Sequence, residues 1–293
     1  MDLSLWFQSI LDGLTAGAVY ALVGLGYVTI FRTSSVVNMA QGAFVMLGAL
    51  ICYSFLIDWG LPYWVAGLLA VVTVIVVGLL LYRLLIAPLV TVSPVTVVLA
   101  TIGASLLFEN IALLVWGGYA KALPPFSGDT PVQLWGTVSI QPQYLWVLGL
   151  TAVTVAALHV LGNRSRIGKK MTACADDPVT AGLCGIHPAR MTLLAFAISA
   201  LIGALGGISI ASVSPISYVS GGMLGLNGFV AAILGGWGSS AGAIVGGLTL
   251  GVIEAVAFMV LPGGYKSAVA FAVLLLILYF RPSGILGSPM AEA

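Results

Sequence analysis

Long apolar runs alternate with short polar breaks along almost the whole chain. Residues 13–31, 36–57, 63–87, 94–116, 144–162 and 191–213 each approach the roughly 20 mostly apolar residues that a helix needs to cross a bilayer. The stretch 224–261 is too long for one span. It carries Gly235-Gly236-Trp237-Gly238-Ser239-Ser240 in its middle and so divides into two. A last run covers 265–280. The second run is unusual because its first turn holds two amides, Asn38 and Gln41. Residues 117–143 are polar and contain proline, which predicts an extramembrane loop, and 163–190 is the only charge-dense segment.

The pattern predicts an all-α polytopic membrane protein with about eight or nine transmembrane helices, some broken or short. It reads as a single transmembrane domain over residues 1–293, with a first half at 13–162, a charged loop at 163–190 and a second half at 191–281. Lys and Arg concentrate on the cytoplasmic side of such proteins. Placing 163–190 there and alternating outward puts Arg32, Arg83, Arg164, Arg166, Lys169, Lys170, Arg190 and Arg281 inside. Only Lys121 and Lys266 fall outside. The N-terminus is then outside, the C-terminus inside, and the chain crosses nine times. Residues 1–12 lack Lys and Arg and no A-x-A cleavage pattern follows the first apolar run, so the first span is expected to act as its own insertion signal. A weak symmetry is also visible. A small-residue-rich span is followed by a polar helix start twice, at Asn38 and at Asn227, in opposite directions across the membrane. That is the pattern of an inverted repeat, with a solute path at the repeat interface.

Composition sharpens this reading. The chain is 60% hydrophobic and only 6% charged, with a mean hydropathy of +1.15. Soluble domains carry roughly 25% charged residues, so a soluble enzyme is excluded. A net charge of +1 gives no footprint for nucleic acid. Cys52, Cys174 and Cys184 have no metal-ligand spacing and are expected to be free thiols.

Enzyme signatures mostly fail. Gly238-Ser239-Ser240-Ala241-Gly242 matches G-x-S-x-G, yet the only histidines, His159 and His187, both precede it. A Gly/Ser turn between helices accounts for it equally, and an intramembrane serine hydrolase is the remoter alternative. Gly168-Lys169 lacks the upstream glycine of a phosphate loop, so any ATP-driven work falls to another protein. Glu109 and Glu254 lie inside predicted spans, where a charge costs about 2.5–3.5 kcal/mol on insertion scales. Each is either a wall of a solute path or a carboxylate that locks two helices. Asn38, Gln41 and Asn227 open helices on this reading. A helix start inside a membrane suits a carboxylate, although Asn also simply caps helices. Gly13/Gly17, Gly203/Gly207, Gly242/Gly246 and Gly247/Gly251 allow close helix approach. In the charged loop, Lys169 to Ala175 can be helical. Asp176 or Asp177 can cap a second short helix with Pro178 in its first turn and Gly185 at its end.

Three stretches carry a family resemblance. The first is 13–31 with Val37-Asn38-Met39-Ala40-Gln41-Gly42-Ala43-Phe44 and on to Ala49. The second is the loop from Gly168 to Ile186. The third runs from Gly225-Leu226-Asn227-Gly228-Phe229 through the Gly-rich turn to Glu254, and Arg281-Pro282-Ser283-Gly284-Ile285-Leu286-Gly287 follows. Together they resemble permease subunits of ABC importers of the branched-chain amino-acid (Liv) type. The chain departs from that pattern at Gln41, Ala43 and Lys170-Met171, where the family often has His, an acidic residue and Arg-Ala. The resemblance implies import of a small amino acid or similar polar solute across the bacterial inner membrane. It implies a heterodimer with a second related permease, two cytoplasmic ATPase subunits and a periplasmic solute-binding protein. It makes 163–190 a cytoplasmic coupling loop, with Lys169, Lys170, Asp176, Asp177, Gly182 and Gly185 at the ATPase. Asn38, Gln41, Glu109, Asn227 and Glu254 become candidates for the substrate path. No cofactor is expected in this chain, ATP and Mg belonging to the ATPases. A stand-alone secondary carrier is the rival.

Overall fold

The computed structural model describes residues 3–89, 92–128, 130, 132–135, 138–260, 266–281 and 283–287. Twelve helices follow in order: α1 Leu3–Ser34, α2 Gln41–Tyr53, α3 Tyr63–Leu81, α4 Ala87–Leu89, α5 Pro94–Trp116, α6 Pro142–Arg164, α7 Arg166–Asp176, α8 Pro178–Leu183, α9 Pro188–Ile210, α10 Ser220–Gly235, α11 Ser240–Val260 and α12 Lys266–Phe280. Single π-helical turns, Ser54–Asp58 and Tyr82–Ile86, extend α2 and join α3 to α4. Among the described residues seven segments are long and apolar enough to cross a membrane, and the apolar helices at Ser220–Gly235 and Ala268–Phe280 are shorter. The chain is an all-α polytopic membrane protein. A two-stranded antiparallel hairpin, β1 Val132–Trp135 with β2 Val138–Ile140, sits in the expected loop.

Most spans fall where the apolar runs put them, and α5 matches its run to the residue. Three helix starts do not, the first being α1, which begins at Leu3 rather than at Gly13. The second run turns helical only at Gln41, and residues 36–40 are not helical, so Asn38 lies before the helix. In the second half α10 begins at Ser220, which puts Asn227 two turns inside rather than at a start. Tyr265, the expected first residue of the last span, and Pro282 of the closing motif lie outside the described residues, as does the side chain of Lys266.

Packing follows a two-fold exchange. α1 and α9 pack on each other at the centre. α1 also packs on α10 and α11, while α9 packs on α2 and α3, and α2 crosses α10. The two central helices thus each gather two neighbours from the other half of the chain. Small residues make the seams possible, because a close backbone approach is what drives helix association in lipid. Gly13 and Gly17 of α1 face Gly251 and Gly247 of α11, so two of the glycine pairs seen in the sequence close on one another. Gly203 and Gly207 of α9 lie against Phe44 and Val45 of α2. Large side chains fill the space between seams, among them Leu22, Phe44, Phe196 and Ile202, all fully buried. The peripheral helices expose Leu68, Val72, Leu106, Leu114 and Val153, as surfaces against lipid tails do.

The ends are closed by specific contacts. Phe126 meets Tyr63 at 4.6 Å and Trp146 at 5.8 Å between ring centres, an aromatic belt at one membrane face. Near the other, Trp237 packs edge-on against Phe31 and Phe229, both at 5.2 Å. The closing motif has a mechanical role. Ile285 and Leu286 donate their N–H groups to the carbonyls of Leu234 and Gly235 at 2.9 and 2.8 Å. They satisfy acceptors that the end of α10 leaves open.

Candidate functional site

The five residues singled out as path candidates resolve into three separate settings. Gln41, the first residue of α2, is fully buried. Its Nε2 donates to the Ser199 carbonyl at 3.1 Å, and the Ser199 hydroxyl lies within hydrogen-bond reach of Gln41 Oε1 and 3.0 Å from the Gly26 carbonyl. α1, α2 and α9 are thereby tied at one point. Gly26 lies six residues before Arg32, so α2 starts about 9 Å in from the basic end of α1 at 1.5 Å per residue.

Asn38 stands just before that start and is fully buried. Its Oδ1 accepts from Ala40 N–H at 3.2 Å, while its Nδ2 has no hydrogen-bond partner among the described residues. Met39 N–H donates to Thr101 Oγ1 of α5 at 3.1 Å and holds the non-helical strand of chain in place. The first turns of α2 and α10 cross here. A β-carbon on Gly42 would lie 2.0 Å from the Gly221 carbonyl oxygen, so these two helix starts touch backbone to backbone. Beside them Glu109, half-buried on α5, accepts a hydrogen bond from Gly222 N–H in the first turn of α10. A carboxylate at a helix N-terminus is favoured by both the open N–H groups and the helix dipole.

Asn227 and Glu254 meet through Tyr20, a residue that no sequence motif marks. Tyr20 of α1 donates to Glu254 Oε2 at 2.7 Å and accepts from the Asn227 side chain. Tyr20 and Glu254 are each only 3% exposed, so the link is buried among α1, α10 and α11. Glu254 also lines a cavity of about 220 Å³ with Ser9, Asp12 and Ala255. A tyrosine inside a small-residue helix was the available signal, since a buried tyrosine usually finds a partner, although α1 carries two, Tyr20 and Tyr27.

The charged loop folds as two short helices. Ser165 caps α7 by accepting from Gly168 N–H at 3.0 Å. Asp177, not Asp176, caps α8, accepting from Val179 N–H at 2.9 Å and Thr180 N–H at 3.2 Å, and from the Thr180 hydroxyl. Those bonds, the Thr180 hydroxyl first, hold its carboxyl below the usual carboxylate range. Pro178 opens α8, and Gly185 ends it with φ +78°. On α8 only Ala181 is buried, while Val179 is 73% and Leu183 85% exposed. Lys169, Lys170, Asp176, Gly182 and Gly185 are all exposed. Gly168 is the exception. A β-carbon there would lie 2.2 Å from the Leu161 carbonyl oxygen, which fixes α7 tightly against the end of α6.

Cys52 and Cys174 are buried and Cys184 is exposed, all as free thiols. Among the described residues no group of His, Cys, Asp and Glu is arranged to hold a metal ion. Ser240 of the G-x-S-x-G match accepts from Arg32 Nη1 at 3.2 Å and has no histidine beside it in the cleft it lines.

Comparison with known proteins agrees with this architecture. Residues 9–278 match the family described as "Branched-chain amino acid transport system / permease component". The high-affinity branched-chain amino acid transport system permease protein LivH of Escherichia coli (strain K12) is 32% identical, over 98% of this chain and 97% of its own length. BraD of Pseudomonas aeruginosa, a permease protein of the same description, is 31% identical over 98% and 97%. A probable LivH of Methanocaldococcus jannaschii is 27% identical over 91% and 88%.

Proposed function

Because this chain belongs to the family of branched-chain amino acid transport system permease components, we propose that it is the membrane-spanning subunit of an ATP-driven importer of a small amino acid, branched-chain type first. It works in the bacterial inner membrane with its N-terminus outside and its C-terminus inside. Its partners are a second related permease, two cytoplasmic ATPase subunits that carry ATP and Mg, and a periplasmic solute-binding protein. The chain itself moves the solute and catalyses no reaction.

The observation that carries this reading is the α7–α8 unit. Val179 and Leu183 form an exposed apolar face on a helix capped at both ends, outside the membrane, and none of the described residues covers them. A soluble ATPase with a cleft for one short helix supplies the missing cover. Gly168 against Leu161 couples that helix pair rigidly to α6, so motion of the cleft reaches the transmembrane helices without slack.

The path lies along the α5–α10 face. A half-buried carboxylate in mid-span is costly against lipid, so the face carrying Glu109 and Gly222 looks toward the partner permease. Asn38, with its unpartnered Nδ2, and the crossed starts of α2 and α10 form the floor of that path. Gln41 positions α2 through Ser199. Asn227 and Glu254 act one layer behind, through Tyr20, to hold α10 and α11 on α1. Donors at two helix starts suit the carboxylate of an amino acid.

The test is substrate-stimulated ATP hydrolysis by the purified complex. Gly182→Trp is expected to leave all subunits assembled and to abolish the stimulation, since the indole fills the space the ATPase cleft needs. Unchanged stimulation would falsify the docking role of α8. For the path, Asn38→Leu is expected to lower uptake with assembly intact, and full uptake would remove Asn38 from it.

A further inference from the structure

Arg32 sits at the basic end of α1 and lines a cleft of about 70 Å³ between α1, α6, α7, α9 and α11. No acidic residue lines it. Arg32 is exposed and Ser240 half-buried at the mouth of the cleft. The guanidinium makes one protein hydrogen bond, Nη1 to Ser240 Oγ at 3.2 Å, and its other donors, open to solvent, have no protein acceptor among the described residues. A planar guanidinium with spare donors is suited to an oxyanion that can take two of them at once.

Ser240 adds to this. Its oxygen accepts from Arg32, so its own O–H remains to be donated. It also opens α11, and the start of a 21-residue helix carries a partial positive charge. The threonine hydroxyls nearby do not contribute donors. Thr29, Thr33 and Thr172 each give their proton to a carbonyl of their own helix, at 2.7, 3.0 and 3.2 Å. The opposite wall is apolar, made by Leu158, Leu161, Met171 and Ile198.

We propose that this cleft binds a phosphate oxyanion between Arg32 and Ser240, presented by an anionic phospholipid headgroup whose glycerol and upper acyl carbons lie on the apolar wall. The same chemistry is available from free phosphate, which would use the two donors without the wall. The cleft touches α7 on one side and the central helices α1 and α9 on the other. A bound headgroup therefore braces the coupling segment against the transmembrane core. The site rests on the proposed topology only for which leaflet supplies the lipid.

The experiment is native mass spectrometry of the full permease complex from nanodiscs of phosphatidylcholine alone or mixed with phosphatidylglycerol. Wild type is expected to retain phosphatidylglycerol in preference to phosphatidylcholine. Arg32→Gln is expected to cut that retention by about fivefold, the worth of one basic residue at an anionic surface. Arg32→Lys keeps the charge and is expected to retain more than Arg32→Gln, and Ser240→Ala gives an independent reading should Arg32→Gln fail to assemble. Addition of inorganic phosphate separates the sources: retention that persists identifies the lipid, and phosphate bound in its place identifies the free ion. Equal retention of both lipids, or equal retention by wild type and both Arg32→Gln and Ser240→Ala, overturns the proposal. Loss of ATPase coupling in Gly182→Trp with lipid retention unchanged would separate this site from the docking role of α8.

Discussion

Gly207 and Gly182 are both helical glycines, one in α9 and one in α8, and they differ in what surrounds them. A β-carbon on Gly207 would lie 1.9 Å from the Val45 carbonyl oxygen of α2. One on Gly182 would meet nothing within 4 Å. The first glycine is demanded by the chain's own packing, because neither backbone can retreat from a dense interior. The second leaves room that this chain does not use. Between these extremes runs the boundary between what the permease needs to fold and what it offers to a partner.

One substitution made at both positions breaks or sharpens that contrast. Gly207→Ala is expected to cost about 3 kcal/mol or more, the upper range for overpacking, seen as lost expression or a sharply lower Tm in detergent. Gly182→Ala is expected to leave Tm unchanged or slightly raised, since alanine is the better helix former. Equal effects at the two sites would erase the distinction.

The buried link through Tyr20 is the next largest effect. Tyr20→Phe removes the hydroxyl that donates to Glu254 and accepts from Asn227. It is expected to cost about 1–3 kcal/mol, the range for disturbing buried hydrogen-bonded groups. Because the seam of α1 with α10 and α11 loosens, uptake is expected to fall while α8 still docks. A Tyr20→Phe protein with wild-type Tm would reduce the link to a bystander.

The smallest effect concerns the Asp177 cap. Its carboxyl is held low in the folded chain by the Thr180 hydroxyl and the Thr180 and Val179 N–H groups. A depressed folded pKa means that the cap's contribution is complete above the ordinary Asp value of about 3.9. It is lost only as pH falls through the lower folded value. Amide exchange at Val179 and Thr180, corrected for intrinsic rates, is therefore expected to show protection that is flat from about pH 7 to pH 5. Asp177→Ala is expected to remove it at every pH, and protection that declines near neutrality would contradict the cap.

Much of this architecture was legible in the apolar pattern, because in a bilayer length and hydropathy are nearly the whole constraint. The break at Gly235–Ser240 and the capped helix at Pro178 were also readable, since turn glycines, Asp-Pro and a terminal glycine are local signals. The starts of α2 and α10 were not. Residues 36–40 are apolar enough to continue a helix, yet the tie of Gln41 to Ser199 and Gly26 holds α2 back to a later start, and that tie joins positions more than 150 residues apart. Asn227 reads as a cap because an apolar run begins at Leu224. The helix starts earlier because Ser220 and the Gly221-Gly222 pair allow α10 to cross Gly42 at close range. Of the candidate site, the residue types were visible and their grouping was not. Glu254 pairs with Tyr20 across 234 positions of sequence, and no local pattern reports such a contact.

The most direct test of the whole account is uptake by proteoliposomes. With the two permeases, ATPases and binding protein reconstituted together, leucine accumulation is expected to require ATP on the ATPase side and to be indifferent to proton or sodium gradients. Accumulation by this chain alone, driven by an ion gradient with no ATPase present, would contradict it.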